Sequence, residues 1–225
     1  MKITFLGHAT LEIQINEFNL LVDPFISGNP LASEINLDDL KPDFILITHA
    51  HQDHTLDVEK LVKDNNSLII SNFEIVSHFQ NMGLNGHPMN HGGKWNFDFG
   101  ELKYVNAIHT STFPDGSNGG QPGGFIITSN NKSIYIAGDT ALSYDMKLIP
   151  INYNLDLAIL PIGDNFTMGY KDAIIASDFI ECSRILGYHF DTFDLIEIDQ
   201  KKAVEEFKKV NKELIIIKPT EHIII

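Results

Sequence analysis

Residues 44–54 read FILITHAHQDH, an apolar run typical of a buried strand followed by a histidine-rich hexapeptide. The hexapeptide contains four side chains that can bind a metal ion, namely His49, His51, Asp53 and His54. Side chains two residues apart on an extended segment point the same way, so His49 and His51 can approach one ion. A turn after Gln52 would aim Asp53 and His54 at a second ion. This segment therefore predicts two adjacent metal sites.

The ligand types of the hexapeptide favour a catalytic site over a structural one. Zinc and similar cations accept imidazole nitrogen and carboxylate oxygen, and a catalytic site leaves one coordination position open for water. No thiolate is present in the segment. Taken alone, the hexapeptide could also be a solvated loop after a strand, so further ligands are needed to decide.

Three further ligand candidates follow predicted strands. His109 ends the apolar segment 104–108, Asp139 follows the segment 134–137, and His189 ends the segment 185–188. Ligands at the ends of rigid strands can converge on one edge of a sheet sandwich. Each also has an ordinary alternative: Asp139 could cap a turn or helix, His109 could fill a strand end, and His189 could be a buried aromatic residue.

Length and composition predict one domain that spans residues 1–225. The chain has 43% hydrophobic and 20% charged residues, which is ordinary for a globular domain of this size. No apolar run approaches the roughly 18–20 residues needed to cross a bilayer, and the first residues show no signal-peptide pattern. The single cysteine, Cys182, excludes an internal disulfide. We expect a soluble, cytoplasmic protein.

The net charge argues against polyanionic partners. The formal charge is −14 at pH 7 and Arg184 is the only arginine, so the basic surface that attracts nucleic acid is missing. Recruitment to anionic lipid headgroups is disfavoured for the same reason. We expect a small-molecule substrate, no nucleic acid and no membrane partner. A homo-oligomer stays open, because no sequence feature decides the oligomeric state.

Alternating strand and helix patterns predict an α+β fold. Strands are predicted at 2–7, 10–15, 18–22, 44–48, 67–71, 94–97, 102–108, 123–128, 133–137, 155–160, 184–188 and 214–217, the middle ones forming a second sheet. Helices are predicted at 56–63, 73–82, 171–181 and 199–211, and the residues 87–91 are predicted to lie in a Gly-rich loop. This order indicates two sheets face to face with helices outside, a four-layer arrangement.

The ordered ligand set resembles that of the metallo-β-lactamase superfamily over the whole chain. The set comprises HAHQDH, the later His109, the Gly138-Asp139-Thr140 segment and His189. Further segments are similar to a compact branch of uncharacterised metal-dependent hydrolases, whose relatives include sugar-lactone hydrolases: GHAT at 7–10, DPF at 23–25, PIGDNFTMG at 161–169 and GYHFDTF at 187–193. The resemblance implies a four-layer αββα sandwich of the metallo-β-lactamase type.

The resemblance also implies two divalent metal ions, expected to be Zn²⁺ with Mn²⁺ or Fe as alternatives. One ion would be held by His49, His51 and His109. The other would be held by Asp53, His54 and His189. Asp139 would bridge both, and a metal-bridging hydroxide would be the nucleophile.

Supporting roles follow from the same resemblance. Asp53 would be the catalytic residue that orients the hydroxide and shuttles a proton, and Asp23 would brace the ligand loop without coordinating. Three residues are candidates for substrate binding, namely His8, Asn165 and Thr192. Packing is the alternative for His8 and a turn hydrogen bond is the alternative for Thr192.

The sequence therefore predicts a metal-dependent hydrolase that cleaves an ester, lactone, amide or phosphodiester bond of a small molecule. A nuclease or cyclic-nucleotide phosphodiesterase on the same fold is the nearest alternative, and acidity argues only against the nuclease. A diiron redox protein is a second, although such relatives tend to carry glutamate at the position of His51. A metal-binding protein without turnover is a third. Fold resemblance does not transmit substrate choice.

Overall fold

The computed structural model describes residues 1–225 and contains two seven-stranded sheets. The first sheet has the spatial order β14 (His222–Ile224), β1 (Lys2–Phe5), β2 (Leu11–Ile15), β3 (Phe18–Val22), β4 (Phe44–Leu46), β5 (Leu68–Asn72) and β6 (Gly86–Met89). Pairing is antiparallel from β14 to β3 and parallel from β3 to β6. Both kinds of pairing therefore occur in one sheet.

The second sheet repeats this division between antiparallel and parallel pairing. Its spatial order is β13 (Glu213–Ile215), β12 (Arg184–Tyr188), β11 (Leu157–Pro161), β10 (Lys132–Ile136), β9 (Gly123–Ser129), β8 (Gly100–Asn106) and β7 (Lys94–Phe97). Pairing is antiparallel from β7 to β10 and parallel from β10 to β13. The connections between parallel strands contain α-helices, or 3₁₀ turns alone between β3 and β4 and between β10 and β11.

Five α-helices complete the fold, together with short 3₁₀ turns. They are α1 (Gln52–Thr55), α2 (Val58–Asn65), α3 (Phe73–Asn81), α4 (Tyr170–Phe179) and α5 (Gln200–Lys209). Asn72 caps α3 by accepting a hydrogen bond from the Ile75 N–H at 2.8 Å, and Asp199 caps α5 through the Lys202 N–H at 3.0 Å. None of these helices has the length and apolar character that a bilayer crossing requires.

Three apolar clusters separate four layers. The central cluster joins both sheets and includes Leu46 and Leu186, whereas the outer clusters join one sheet to its helices. Successive strand residues alternate between clusters: Ile45 faces α2 and α3, and its neighbour Leu46 faces the other sheet. The predicted α+β, four-layer αββα architecture is confirmed.

The structure contains elements that the sequence patterns did not predict. The residues 87–91, predicted as a loop, overlap the edge strand β6, which pairs with β5. The residues after Pro219 form β14, which pairs with β1 from the other end of the chain. The helix predicted at 56–63 is α2, displaced by two residues, and the short helix α1 before it was not predicted. Strand pairing between distant segments leaves no periodic signal within either short segment, which explains the first two misses.

We predict that Leu102→Ala lowers the free energy of unfolding by about 2–5 kcal/mol, because it opens a cavity in a closely packed interior. Leu102 is 0% exposed between the sheets, whereas Leu148 is 61% exposed. The matched control Leu148→Ala is expected to change stability by about 0.5 kcal/mol or less. Chemical denaturation of both variants measures the difference, and equal losses would contradict the interior position of Leu102.

Candidate metal centre

The candidate ligands all follow the ends of strands, at one edge of the sandwich. His8, Asp23 and the 49–54 segment follow β1, β3 and β4 in the first sheet. His109, Asp139 and His189 follow β8, β10 and β12 in the second. The two sheets therefore contribute opposite halves of a single cluster.

Left-handed backbone turns point several of these side chains into the cluster. His8, Asp23 and His189 have φ values of 56°, 46° and 55°, a conformation that residues other than glycine adopt at an energetic cost. Gly138, with φ 68°, makes the corresponding turn before Asp139. A Cβ on Gly138 would lie 2.8 Å from the Gly123 carbonyl oxygen, so glycine is required there. Strain of this kind typically accumulates at functional sites.

The carboxylate of Asp139 lies at the centre of the cluster. Its Oδ2 is 3.0 Å from His189 Nε2, 3.4 Å from His54 Nε2, 3.6 Å from His109 Nε2 and 3.8 Å from His49 Nε2. Adjacent ligands of a tetrahedral zinc ion with bonds of about 2.0–2.1 Å are separated by about 3.3 Å. The spacing of these atoms is therefore that of ligands around a cation.

The potential ligand atoms fall into three groups, each with all atoms within 4.8 Å of one another. His49, His51 and His109 form the first group, as predicted for one ion. The second group contains the residues predicted for the other ion and adds one more: His8, Asp53, His54 and His189. Asp139 groups with His49 and His54, one from each of these two sets, as expected of a bridging carboxylate.

Asp23 contacts the ligands from behind, as predicted. Its Oδ2 lies 2.9 Å from His54 Nδ1, and it accepts hydrogen bonds from the Thr48 N–H at 2.8 Å and the Thr48 hydroxyl at 2.6 Å. Since Nδ1 of His54 is used by Asp23, its Nε2 is the nitrogen that faces the cluster. Asp23 is fully buried and thus fixes both the strand end and the imidazole.

His8 and Thr192 are buried, and a substrate contact by either residue stays a prediction. His8 Nε2 lies 3.0 Å from Asp53 Oδ2, and His8 Nδ1 lies 2.9 Å from the Thr192 hydroxyl. Burial and the neighbouring His189 lower the pKa of His8 to about 4, so its imidazole is neutral near pH 7. A neutral His8 donates from Nε2 to Asp53 and accepts the Thr192 hydroxyl at Nδ1. The pair therefore positions Asp53.

Burial and neighbouring charges set the protonation of the cluster. Burial disfavours charge on Asp139, but His189 and His54 outweigh burial and hold the pKa of this carboxyl well below its usual range. Burial opposes charge on His54 too, yet three surrounding carboxylates raise its imidazole pKa well above the ordinary value, namely Asp139, Asp23 and Asp53. The protein thus concentrates negative charge around His54 and favours a cationic group at this point.

The donor set fits a bound transition-metal ion. His54 Nε2, Asp139 Oδ1 and both ring nitrogens of His189 are buried without a hydrogen-bond partner inside the protein. Unpartnered buried polar atoms are costly, and buried charges are normally paired or coordinate metals. His49 Nε2 and His51 Nδ1 face each other at 2.9 Å, a separation that a shared proton or a shared cation accounts for. Imidazole and carboxylate are ligands that zinc, manganese and iron accept.

A cleft of about 280 Å³ opens directly onto the cluster. Its walls are formed by His51, Asp53, His109, Thr110, Asp139, Phe166, His189 and Phe193. Asp53 is the carboxylate that reaches solvent, with 30% of its side chain exposed, whereas the side chain of Asp139 is 3% exposed. The cleft therefore gives a ligand access to both predicted ion positions.

Two cleft residues, Phe166 and Phe193, were missed by the sequence analysis. Both lie inside the segments 161–169 and 187–193, in which only polar residues were predicted to contact substrate. Asn165 is exposed beside Phe166 but does not line the cleft, so a substrate contact by Asn165 stays a prediction. An aromatic residue at a predicted loop tip next to a ligand is the signal that could have found them.

Comparison with known families agrees with this geometry. The family described as the beta-lactamase superfamily domain matches residues 2–189. The chain belongs to this superfamily. A UPF0173 metal-dependent hydrolase from Flavobacterium johnsoniae is 61% identical over 217 residues, covering 96% of each chain. A second, from Methylacidiphilum infernorum, is 44% identical and is covered completely. The protein is therefore a metal-dependent hydrolase of the beta-lactamase superfamily, as predicted.

A solved structure shows the same fold over nearly the whole chain. Igni18, described as a metallo hydrolase from the hyperthermophilic archaeon Ignicoccus hospitalis, superimposes with a TM-score of 0.89 at 29% identity. The match covers 99% of this chain and 97% of Igni18. The superfamily fold and the hydrolase class thus agree between the sequence relatives and the structural neighbour.

We predict that Asp23→Asn lowers metal affinity by about 10–100-fold while the fold is retained, because the amide removes the charged partner of His54 Nδ1. Competition with a chromophoric chelator measures the affinity. The control is Asp156→Asn, since Asp156 also accepts a backbone N–H, from Ser133 at 2.9 Å, but at the start of β10. Equal metal affinity in the wild type and Asp23→Asn would contradict the supporting role.

Proposed function

We propose that the protein uses two divalent metal ions, with zinc as the native metal, to hydrolyse an ester, lactone, amide or phosphodiester bond of a small molecule. The observation that carries this proposal is the position of Asp139 Oδ2, 3.0–3.8 Å from four imidazole nitrogens at the floor of an open cleft. A structural site would have no need of that opening, because its ligands close around the ion.

The proposed ion positions follow the ligand groups. His49, His51 and His109 would hold one ion, and Asp53, His54 and His189 would hold the other, with Asp139 shared. The absence of cysteine among these ligands favours zinc or another borderline ion bound by nitrogen and oxygen. When bound, the ions would supply Lewis acidity and lower the pKa of coordinated water towards neutrality.

The residues of the chain have separate roles in this mechanism. Asp53 combines proximity to the ligands with access to solvent, so its carboxylate would orient the attacking water and carry a proton to the leaving group. His8 holds Asp53 through Nε2, and Thr192 holds His8 through Nδ1. Asp23 keeps His54 turned towards the cluster. These contacts fix the catalytic geometry before substrate arrives, which lowers the cost of reaching the transition state.

The proposal includes a small-molecule substrate and a cytoplasmic location for the protein. The substrate is proposed to be a small molecule, because the cleft volume of about 280 Å³ lies just below the roughly 300–1,000 Å³ of small-molecule sites and leaves no room for a larger ligand. The charge of −14 supports the absence of nucleic acid and membrane partners. A cytoplasmic location is proposed from the single, buried and unpaired Cys182. Assembly into a homo-oligomer stays open.

Elemental analysis of protein purified without added metal is expected to find about two transition-metal ions per chain, chiefly zinc. The same protein, tested on a panel of esters, lactones, amides and phosphodiesters, is expected to hydrolyse at least one class. Asp53→Asn is expected to lower kcat by about 10²–10⁴-fold, since general acid–base groups contribute that much. Chelation followed by zinc addition should remove and restore activity.

The outcomes of this experiment separate the alternatives. Full metal loading without turnover on any substrate would indicate a metal-binding protein and overturn the hydrolase mechanism proposed here. Iron in place of zinc with redox activity would favour the diiron alternative. The exposed carboxylate variant Asp115→Asn is the matched control, because Asp115 bonds only to Ser117 in a surface turn, and its activity should equal that of the wild type.

We predict that Thr192→Val lowers kcat by about tenfold and leaves metal content and KM unchanged, because His8 loses a buried hydrogen bond and no longer fixes Asp53. Thr192→Ser keeps the hydroxyl and is expected to stay within about twofold of wild type. Steady-state kinetics and metal analysis of both variants provide the test. Equal losses in the valine and serine variants would show that packing, and not the hydrogen bond, is what Thr192 supplies.

A further inference from the structure

Two phenylalanine side chains give the metal cleft an apolar mouth. Phe166 is 48% exposed and Phe193 is 39% exposed, and both line the cleft that opens onto the ligands. Apolar aromatic surface next to a few convergent polar groups is typical of small-molecule binding sites. The exposed part of each ring contributes no hydrophobic stabilisation to the fold. An apolar ligand that covers these rings would gain that stabilisation on binding.

Phe166 is held in place by the loop that carries it. The ends of the loop, Gly163 and Gly169, pair with each other, and the Met168 N–H donates to the Thr140 carbonyl at 2.9 Å. Thr140 directly follows the central ligand Asp139. One backbone hydrogen bond, from Met168 to Thr140, therefore connects the loop that carries Phe166 to the residue next to Asp139.

Phe193 is fixed from the opposite side of the cleft. Its ring centroid lies 5.4 Å from that of His8 and 6.4 Å from that of the buried Phe25. Phe193 follows the ligand His189 by only four residues. Between them, Asp191 turns the chain with a φ of 56°. Phe193 therefore stands on the loop after β12, and Phe166 stands on the loop after β11, the strand that lies between the ligand-bearing strands β10 and β12.

The charge of the cleft wall is as informative as its apolar surface. Its lining residues include imidazoles, carboxylates, one hydroxyl and two phenyl rings, but no lysine or arginine. Sites that recognise phosphate or carboxylate groups commonly use arginine or lysine. An anionic group placed beyond the metal ions would meet no lysine or arginine and would lie near the carboxylate of Asp53.

We infer that the substrate is an uncharged ester or lactone that carries an apolar alkyl or aryl group, and that this group packs against Phe166 and Phe193. The inference rests on the proposed function and narrows it to one substrate class. In the reaction, the oxygen of water bonds to the carbonyl carbon and the acyl C–O bond breaks. The leaving oxygen takes a proton that came from the water, giving an acid and an alcohol, or a hydroxy acid from a lactone.

The test uses the zinc-loaded protein and p-nitrophenyl acetate, butyrate and hexanoate. A fully buried CH₂ corresponds to about a fourfold effect, so kcat/KM is expected to rise about two- to fourfold with each added CH₂. Phe166→Ala and Phe193→Ala are each expected to lower kcat/KM about tenfold for hexanoate and less than twofold for acetate. The control is Phe73→Ala, because Phe73 is 59% exposed on α3 and does not line the cleft.

A binding measurement separates recognition from turnover. Acetohydroxamic and octanohydroxamic acids share one metal-binding head group, so the difference between their calorimetric Kd values reports the apolar wall alone. The longer compound is expected to bind at least tenfold more tightly to the wild type and to Phe73→Ala. This advantage should fall to threefold or less in Phe166→Ala and Phe193→Ala.

Several results would overturn the inference. A flat chain-length series, equal losses of both phenylalanine variants on acetate and hexanoate, or equal affinity for the two hydroxamic acids would each do so. Faster hydrolysis of bis(p-nitrophenyl) phosphate than of the hexanoate ester would also do so, since that substrate is anionic. If acetate is hydrolysed in a flat series, only the substrate class fails. If a fully loaded protein hydrolyses no substrate at all, the proposed function fails with it.

Discussion

The buried carboxylate of Asp139 imposes the constraint on which the rest of the structure depends. A carboxylate removed from water is stable only when opposite charge or hydrogen-bond donors surround it, and here four imidazole nitrogens lie within 3.8 Å of one oxygen. Those imidazoles follow three separate strands, β4 in one sheet and β8 and β12 in the other. The position of one acidic group therefore links both halves of the sandwich.

The apolar layers supply the rigidity that this arrangement needs. Twenty-two buried residues join the two sheets, so the strand ends cannot shift independently without opening voids between them. On that frame, the left-handed turns at His8, Asp23 and His189 cost energy locally but aim polar groups at one point. Apolar packing between the sheets thus offsets the energetic cost of the strained backbone at the sheet edge that carries the candidate ligands.

The ligand cluster was largely predictable from the sequence, because metal chemistry limits the residue types and strand ends limit their positions. The candidate ligands are residue types that bind metal ions, and each one lies just after a strand: the hexapeptide, His109, Asp139 and His189. Other features escaped because they depend on contacts between distant segments. The pairing of β14 with β1 and the bond between His8 and Thr192 join residues that no local periodicity connects. Phe166 and Phe193 escaped because an exposed aromatic residue in a loop resembles ordinary surface until its surroundings are known.

Gly163 and Gly169 pair at the base of the loop that carries Phe166. This pairing separates the tip of the loop from the candidate metal cluster. Asp164 and Asn165 have φ values of 62° and 53°, which few residue types adopt, whereas residues 166 and 167 can change in size and chemistry while the bridge stays in place. Such a scaffold can acquire new ligand preferences by small exchanges at the loop tip, without rebuilding the candidate metal centre. Directed evolution of altered selectivity can therefore begin with a library confined to these two positions.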